Sequence, residues 1–537
     1  MSDHFDVIII GAGVNGAGLF RDLCEQGVKC LILDKGDWGS GTSAAPSRLI
    51  HGGIKYLETG EFRLVAQSTL ERNLLLKNAP HAVLPLPTVI PIFSWLKGIG
   101  AALRTLMGST TAPRQRGAVL MKIGLWLYDF YGARERIMPR HQMWSRARAL
   151  RELPLTPRIK AAGLYYDARI AMPERLVWEL VADGLRANPT SRALSHASFR
   201  REGPGLRVWN EETNQDVASC LMVNAAGPWI DQVNRALGIE GRLIGGTKGA
   251  HLLLDHPALV KALAGRMVYF EADDGRICLV YEHLGRVMLG STDIRADDPD
   301  ALTVSDAEAD YLLGAVASLF PDLGPGRVVH AYSGLRPLPY SEGTQAGLIS
   351  RDHSAPVAEP QGDRAFPVIS LVGGKWTTFR GFAEEVADLV LKRLGMNRRI
   401  STRAMAIGGG RDFPADAGAW AAAQPVARER ALELLARYGA TGAQVAEAEA
   451  RGARGIVDAP DFTDAEIAWI TAHERVLRLE DIVLRRTPLA ITGRVTEAML
   501  ADLARVAGGV RFWSPERQAE EVAAVKETLT RRHRWSF

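Results

Sequence analysis

The chain has 537 residues, of which 47% are apolar and 23% charged, with a formal net charge of +4 at neutral pH. That length exceeds one ordinary core and predicts two or three domains. The composition excludes a disordered chain, and so small a charge gives no electrostatic reason to expect nucleic acid as a partner.

The four cysteines (Cys24, Cys30, Cys220 and Cys278) have neither CxxC pairing nor metal-ligand spacing. They read as reduced thiols of a cytosol-facing protein, and no metal is expected. The first strand-like run begins near residue 5 without a basic stretch before it, so no secretory signal is expected. No run of about 18 apolar residues predicts a spanning helix.

The opening segment carries the most specific pattern. Phe5-Asp6-Val7-Ile8-Ile9-Ile10 is a short apolar run, and Gly11-Ala12-Gly13-Val14-Asn15-Gly16 follows it directly. Ala17, Leu19, Phe20 and Leu23 then recur at helical spacing, and a second apolar run, Cys30-Leu31-Ile32-Leu33, leads into Asp34 and Lys35. Strand, glycine turn, helix, strand and acid is the order that a dinucleotide-binding βαβ unit requires. Gly11 permits the tight turn, Gly13 admits a pyrophosphate to the helix N-terminus, and Gly16 lets helix and strand approach. Asp34 is placed to accept hydrogen bonds from the ribose hydroxyls. GxGxxG alone is an ordinary glycine turn; the flanking strand and acid make it a nucleotide site.

Three later segments carry small residues where backbone would lie against a cofactor. Thr42-Ser43-Ala44-Ala45-Pro46-Ser47 leads through Arg48-Leu49-Ile50-His51 to the pair Gly52-Gly53, which suits a pyrophosphate or a flat ring. Met222-Val223-Asn224-Ala225-Ala226-Gly227-Pro228-Trp229 is an apolar strand running into small residues. Val372-Gly373-Gly374-Lys375-Trp376-Thr377-Thr378 opens a predicted helix whose N-terminus can hydrogen-bond the ring carbonyls of a flavin.

Between residues 93 and 150 the chain carries ten basic residues against two acidic ones, and residues 95–107 place apolar side chains at near-helical spacing. Basic residues beside an apolar face predict an interfacial membrane helix, with a solvated basic face over ordinary core residues as the alternative. The terminal Arg531-Arg532-His533-Arg534-Trp535-Ser536-Phe537 reads as a frayed basic end. The predicted organisation is a discontinuous nucleotide-binding domain (1–80, 160–235 and 330–385), a substrate-binding cap of antiparallel sheet (81–159 and 236–329), and a helical C-terminal domain (400–537).

With these motifs quoted, the sequence resembles the FAD-dependent glycerol-3-phosphate dehydrogenases, within the wider glycine-oxidase and D-amino-acid-oxidase-like flavoproteins. The residues that carry the resemblance are Ile9-Ile10-Gly11-Ala12-Gly13-Val14-Asn15-Gly16-Ala17-Gly18, Gly41-Thr42-Ser43, Leu49-Ile50-His51-Gly52-Gly53-Ile54-Lys55-Tyr56-Leu57-Glu58 and Glu61-Phe62-Arg63-Leu64-Val65. They continue with Asn224-Ala225-Ala226-Gly227-Pro228-Trp229, Lys248-Gly249-Ala250-His251, Gly290-Ser291-Thr292-Asp293, Tyr332-Ser333-Gly334-Leu335-Arg336-Pro337-Leu338, Ser350-Arg351-Asp352 and Gly373-Gly374-Lys375-Trp376-Thr377-Thr378-Phe379-Arg380.

The resemblance implies an α/β fold: a Rossmann-like FAD-binding domain, an antiparallel-sheet cap and a C-terminal helical domain. It implies oxidation of sn-glycerol 3-phosphate to dihydroxyacetone phosphate, with hydride passing to flavin N5 and the electrons going on to a membrane quinone. FAD would be held by Gly11, Gly13, Asn15, Gly16, Asp34, Lys35, Thr42, Ser43, Ser47, Gly52, Ala226, Gly227, Trp229, Gly374, Lys375, Thr377 and Thr378. The catalytic candidates are His251, Arg336, Lys375 and His51, and the substrate candidates Lys55, Tyr56, Arg336 and Thr378. His251, with an unperturbed pKa near neutrality, is the natural base, and Arg336 can clamp a phosphate or neutralise an alkoxide.

Two departures bear on the substrate. Lys55 stands where the family has arginine and loses the planar fork. After Tyr165-Tyr166-Asp167 the family's paired aspartates are missing from Ala168-Arg169-Ile170-Ala171. The alternatives are the same flavin chemistry on another polyol phosphate or a 2-hydroxy acid, and a flavoprotein that binds FAD without turnover. The expected setting is the cytoplasmic face of a membrane, held peripherally, with a homodimer left open.

Overall fold

The computed structural model describes residues 3–57, 60–95, 117–341 and 352–537. Glu58, Ser350, Arg351 and most of the 95–107 stretch lie outside them. The strands that position the site are β1 (Asp3–Ile10), β2 (Cys30–Leu33), β3 (Val83–Ile92), β4 (Ala161–Ile170), β5 (Arg192–Leu194), β6 (Asn214–Asn224), β7 (Thr247–Asp255), β8 (Met267–Glu271), β9 (Ile277–His283), β10 (Arg286–Gly290), β11 (Arg327–Arg336) and β12 (Val368–Ser370). The helices used below are α1 (Val14–Glu25), α2 (Phe62–Asn78), α3 (Ala118–Tyr131), α4 (Pro173–Ala187), α5 (Phe379–Arg393), α6 (Arg428–Tyr438), α7 (Asp464–His473), α8 (Glu497–Arg511) and α9 (Pro515–His533).

The first sheet carries the strand, glycine turn and helix at the start of the chain. Its central order is β12-β6-β1-β2-β5, all parallel, with Ile8 beside both Met222 and Leu31 and Val223 beside Ile369. Continuous runs such as Val7-Ile8-Ile9-Ile10 and Leu31-Ile32-Leu33 follow from burial on both faces. α1 lies against α4 and α5. The fully buried Phe20 seats on Gly184 of α4, where an added Cβ would come within 2.7 Å of its ring. Burying Phe20 contributes about 3 kcal/mol.

Among the described residues the second sheet has ten strands, with central order β7-β10-β9-β8-β3-β4; β11 pairs with the free side of β7. Every pair is antiparallel except β8 with β3. The sequence motifs group 160–170 and 330–336 with the predicted nucleotide-binding domain, whereas β4 and β11 hydrogen-bond into this second sheet. Their motif residues lie beside the cofactor strands in sequence, whereas strand pairing is set by partners far along the chain.

The C-terminal part is helical, with one two-stranded ribbon. α7, α8 and α9 each begin at a hydroxyl cap, Thr463, Thr496 and Ser514, accepting from Glu466, Met499 and Arg517 N–H. Such caps satisfy otherwise orphaned donors and are worth about 1 kcal/mol each. The basic end is not frayed. His533 stacks on His330 of β11 at 4.5 Å between ring centroids, Trp535 Nε1 donates to His330 Nδ1 at 3.1 Å, and Arg534 pairs with Asp306 at 2.6 Å. Aromatic burial and a charge partner hold what composition alone read as a solvated tail.

Candidate active site

The glycine turn is built for close approach. Gly11 has φ +106°, and a Cβ there would lie 2.6 Å from the Ala225 carbonyl carbon. A Cβ on Gly16 would overlap the Gly11 carbonyl oxygen, and one on Gly13 would press on Ser43 Oγ at 3.2 Å. Ser43 Oγ accepts from Val14 N–H at 2.9 Å, tying the small-residue loop to the start of α1. Asp34 accepts from Ala12 N–H at 2.6 Å and Gly36 N–H at 2.9 Å. Burial pushes its carboxyl above the usual range against these two donors. Lys35 lies outside, 2.9 Å from Asp300 and 4.1 Å over the Trp229 ring, and Trp229 Nε1 donates to the same carboxylate at 3.0 Å. Ala226 N–H is turned back onto the Asn224 side chain at 3.2 Å, and Gly227, at φ +57°, has open space where a side chain would stand.

The remaining candidates fall into two groups of side-chain contacts. In the first, Ser47 Oγ and His251 Nε2 are 2.8 Å apart, and the His251 ring stacks on Tyr332 at 4.9 Å. A Cβ on Gly290 would overlap His251, and one on Gly249 would overlap the Arg336 guanidinium. Arg336 Nη1 donates to Asp293 Oδ1 at 3.0 Å and Nη2 to Ser291 Oγ at 3.1 Å. Thr42 Oγ1 donates to Leu335 O at 2.6 Å, closing the loop over β11.

In the second are His51, Tyr56, Lys375 and Thr377. His51 N–H donates to Thr377 Oγ1 at 3.1 Å, the His51 and Tyr56 rings stack at 6.4 Å, and Lys375 Nζ lies 3.6 Å over the Tyr56 ring. Lys375 Nζ also reaches Ser68 Oγ at 3.4 Å, and Trp376 Nε1 donates to Ser43 O at 3.1 Å. Lys55 lies in the short helical turn Ile54–Leu57 beside Tyr56.

The expectation that His251 titrates near neutrality is corrected. Burial first, then the charges of Arg336 and Arg48, push its imidazole down to about 3. His251 is therefore neutral at physiological pH, with Nε2 engaged by Ser47 and Nδ1 buried without a hydrogen-bond partner among the described residues.

Sequence reasoning missed the support of the Gly52-Gly53 turn. Gly52 N–H donates to Tyr128 OH at 2.8 Å and Asp167 Oδ1 at 3.1 Å; Tyr128 OH donates to the same Asp167 oxygen at 2.5 Å, and Arg72 Nη1 reaches it at 3.0 Å. Asp167 and Arg72 are a buried pair. Asp167 was visible as a polar residue in an apolar strand, but nothing local linked it to Tyr128, which hides in an apolar helix.

Two buried oxygens beside the glycine turns, Asn15 Oδ1 and Thr378 Oγ1, have no hydrogen-bond partner among the described residues. Gly373 and Gly374 take φ +74° and +91°, which keeps side chains off that helix start, and a Cβ on Gly374 would lie 2.9 Å from Asn15 Nδ2. Orphaned polar atoms next to backbone that must stay bare fit a flat hydrogen-bonding ring, with Gly11, Gly13 and Asp34 suited to a dinucleotide's pyrophosphate and ribose.

Fold and site together define a flavin-dependent oxidoreductase, and residues 6–389 match the family model described as FAD dependent oxidoreductase. Residues 400–518 match the C-terminal domain of alpha-glycerophosphate oxidase. A glycerol-3-phosphate dehydrogenase of Synechocystis sp. is 30% identical, over 98% of this chain and 96% of the relative. A D-erythritol 1-phosphate dehydrogenase of Brucella abortus is also 30% identical, over 90% of this chain and 94% of the relative. Among solved structures, the glycerol-3-phosphate dehydrogenase of Bacillus halodurans complexed with FAD superposes with a TM-score of 0.74 at 22% identity, covering 98% of this chain and 95% of that one. The chain belongs to the FAD-dependent glycerol-3-phosphate dehydrogenase family, and FAD is its cofactor.

Proposed function

We propose that this enzyme oxidises sn-glycerol 3-phosphate to dihydroxyacetone phosphate. The observation that carries this reading is the end-to-end relationship to the Synechocystis glycerol-3-phosphate dehydrogenase, through both the flavin-binding part and the C-terminal domain. FAD, held by the Gly11-Gly13 turn, Asp34 and the bare helix start at Gly373-Gly374, would supply two-electron oxidation chemistry, with a membrane quinone as the proposed electron acceptor.

The chain's own residues supply binding, orientation and proton transfer. Arg336, fixed by Asp293 and Ser291, presents a fork to the substrate phosphate. Lys375 and Lys55 add positive charge, and Lys375 Nζ is seated over the Tyr56 ring. His51 and Thr377 hold the start of the Gly52-Gly53 turn. His251 would take the hydroxyl proton at Nε2 through the Ser47 hydroxyl, 2.8 Å away, which passes its own proton on as it accepts the substrate's. Burial depresses His251 most, and a phosphate dianion on Arg336 cancels one of the two cations that add to it, so substrate binding strengthens the base.

The bilayer is the second partner. α3 exposes Val119, Ile123, Trp126 and Phe130 along one face, with Trp126 and Phe130 61% and 64% exposed. Phe93 and Trp95 are exposed nearby, and Lys122, Arg134, Arg140 and Arg146 are exposed basic residues of the same region. An apolar stripe rimmed by cations suits an anionic lipid surface. No helix among the described residues is long and apolar enough to cross a membrane, so the proposed association is peripheral, on the cytoplasmic face. Sedimentation with anionic vesicles at low salt checks it: the protein should pellet, and a protein left in the supernatant contradicts it.

A second substrate reading is favoured by Lys55 and by the Brucella D-erythritol 1-phosphate dehydrogenase, which shares the same 30% identity over 90% of this chain. Dye-linked steady-state assays with both polyol phosphates and a 2-hydroxy acid separate the readings. Tenfold or higher kcat/KM for sn-glycerol 3-phosphate supports the first; the reverse order assigns the larger polyol.

A further inference from the structure

We propose that the C-terminal domain clamps the adenosine half of the FAD site, with Arg485 and Arg486 as positioning residues for the loop 34–40. Asp37, three residues beyond the ribose acid Asp34, is wholly buried. Its Oδ2 accepts from Arg485 Nε at 2.8 Å and Arg486 Nη1 at 2.6 Å, and its Oδ1 from Arg486 Nη2 at 2.9 Å.

The same loop holds both cofactor elements. Asp34 is bonded to Ala12 N–H and Gly36 N–H, while Gly39 N–H donates to Ala12 O at 3.0 Å. A shift at Asp37 therefore moves the ribose acid and the pyrophosphate turn together. From its other edge, His196 N–H donates to Gly36 O at 2.8 Å, and His196 Nε2 lies 3.0 Å from Asp481. Asp481 also accepts from Arg485 Nη2 at 2.7 Å. The arginines cannot follow the loop passively, because Arg486 Nη2 donates to Glu474 O at 3.1 Å and Glu474 is locked to Arg175 at 2.7 Å.

Local backbone geometry serves this contact. In an ordinary α-helix consecutive side chains point about 100° apart, yet Arg485 and Arg486 reach one carboxylate from the π-helical turn Ile482–Arg486. Wide turns of this kind concentrate at functional positions. Asp37, His196 and Asp481 approach at metal-ligand spacing, but the two guanidiniums already neutralise both carboxylates, so the cluster is an ionic clamp. An interdomain weld needed only for stability could fall anywhere on the nucleotide-binding domain; this one grips the loop between Asp34 and the partner of Ala12.

The clamp is independent of substrate identity, and the tests read FAD rather than turnover. Hydrogen exchange on the wild-type protein, stripped of FAD and then reloaded, should slow at least fivefold in amides of 476–487; unchanged exchange there overturns the proposal. Asp37→Asn keeps the shape and removes the charge. Its apoprotein should still melt cooperatively, with the FAD Kd raised at least tenfold and the bound-flavin spectrum restored by excess FAD. A Kd within twofold of wild type overturns the proposal, and should Asp37→Asn fail to fold, the exchange result decides.

Discussion

Replacing Arg336 separates charge from geometry at the proposed substrate face. Arg336→Ala removes the fork that Asp293 and Ser291 orient. Truncating one partner of a hydrogen-bonded charge pair costs about 2–5 kcal/mol. At about 1.4 kcal/mol per decade, a central 3 kcal/mol is roughly a hundredfold loss in kcat/KM. Because Arg336 is partly solvated, the effect on folding should stay within about 1 kcal/mol. Burial is the main cause that holds the His251 imidazole down at about 3, and the same substitution removes one of the two cations that add to it. An acid limb should therefore emerge in the pH profile of kcat/KM, between that value and the usual histidine range. Arg336→Lys keeps the charge and loses the fork, so kcat/KM should fall by about tenfold with the acid limb unmoved. The assay is dye-linked turnover from pH 4 to 8 on variants whose flavin absorbance matches wild type. An Arg336→Ala enzyme within threefold of wild type would refute the reasoning, as would the same acid limb in both variants.

Gly16→Ala should yield a folded but colourless protein, because its Cβ overlaps the Gly11 carbonyl oxygen and forces α1 off the turn; normal flavin content in the purified variant contradicts this. Tyr128→Phe withdraws a donor from buried Asp167 and an acceptor from Gly52 N–H, at a cost of about 1–3 kcal/mol by denaturant titration, and an unchanged midpoint argues against the network. His196→Asn tests a pH-dependent contact. Burial opposes protonation, but the bond to Asp481 prevails and raises the His196 pKa above its usual 6.5. Its contribution is complete below that unfolded-state value and is lost as pH rises through the folded value, at about 1.4 kcal/mol per unit of elevation. The stability gap between wild type and His196→Asn should be larger at pH 6 than at pH 9, and a gap that widens with pH would contradict the assignment.

The nucleotide-binding unit was legible because its signals are local. Gly11, Gly13, Gly16 and Asp34 lie within one strand-helix-strand stretch, and each does a job fixed by backbone geometry. The loops at Thr42, Ser47 and Lys375 were legible as motifs, and β7 and β11 bring His251 and Arg336 near each other as neighbouring strands. What stayed hidden depends on distant partners. β4 and β11 belong to the second sheet through strands far away in sequence, and the depressed His251 pKa arises from burial together with Arg336 and Arg48. Asp37 meets Arg485 and Arg486 across more than four hundred residues, and the tail is held by His330 in the interior of a strand. None of these pairings leaves a periodicity or spacing for a single sequence to show.

The central claim is oxidation of a polyol phosphate by bound FAD, and anaerobic mixing of the purified holoenzyme with sn-glycerol 3-phosphate, followed in the visible flavin spectrum, tests it most directly. The account predicts rapid bleaching of the oxidised flavin band with stoichiometric dihydroxyacetone phosphate. A protein that stays yellow with this substrate, while a different polyol phosphate bleaches it, would contradict the substrate assignment and point to Lys55 as the first residue to exchange.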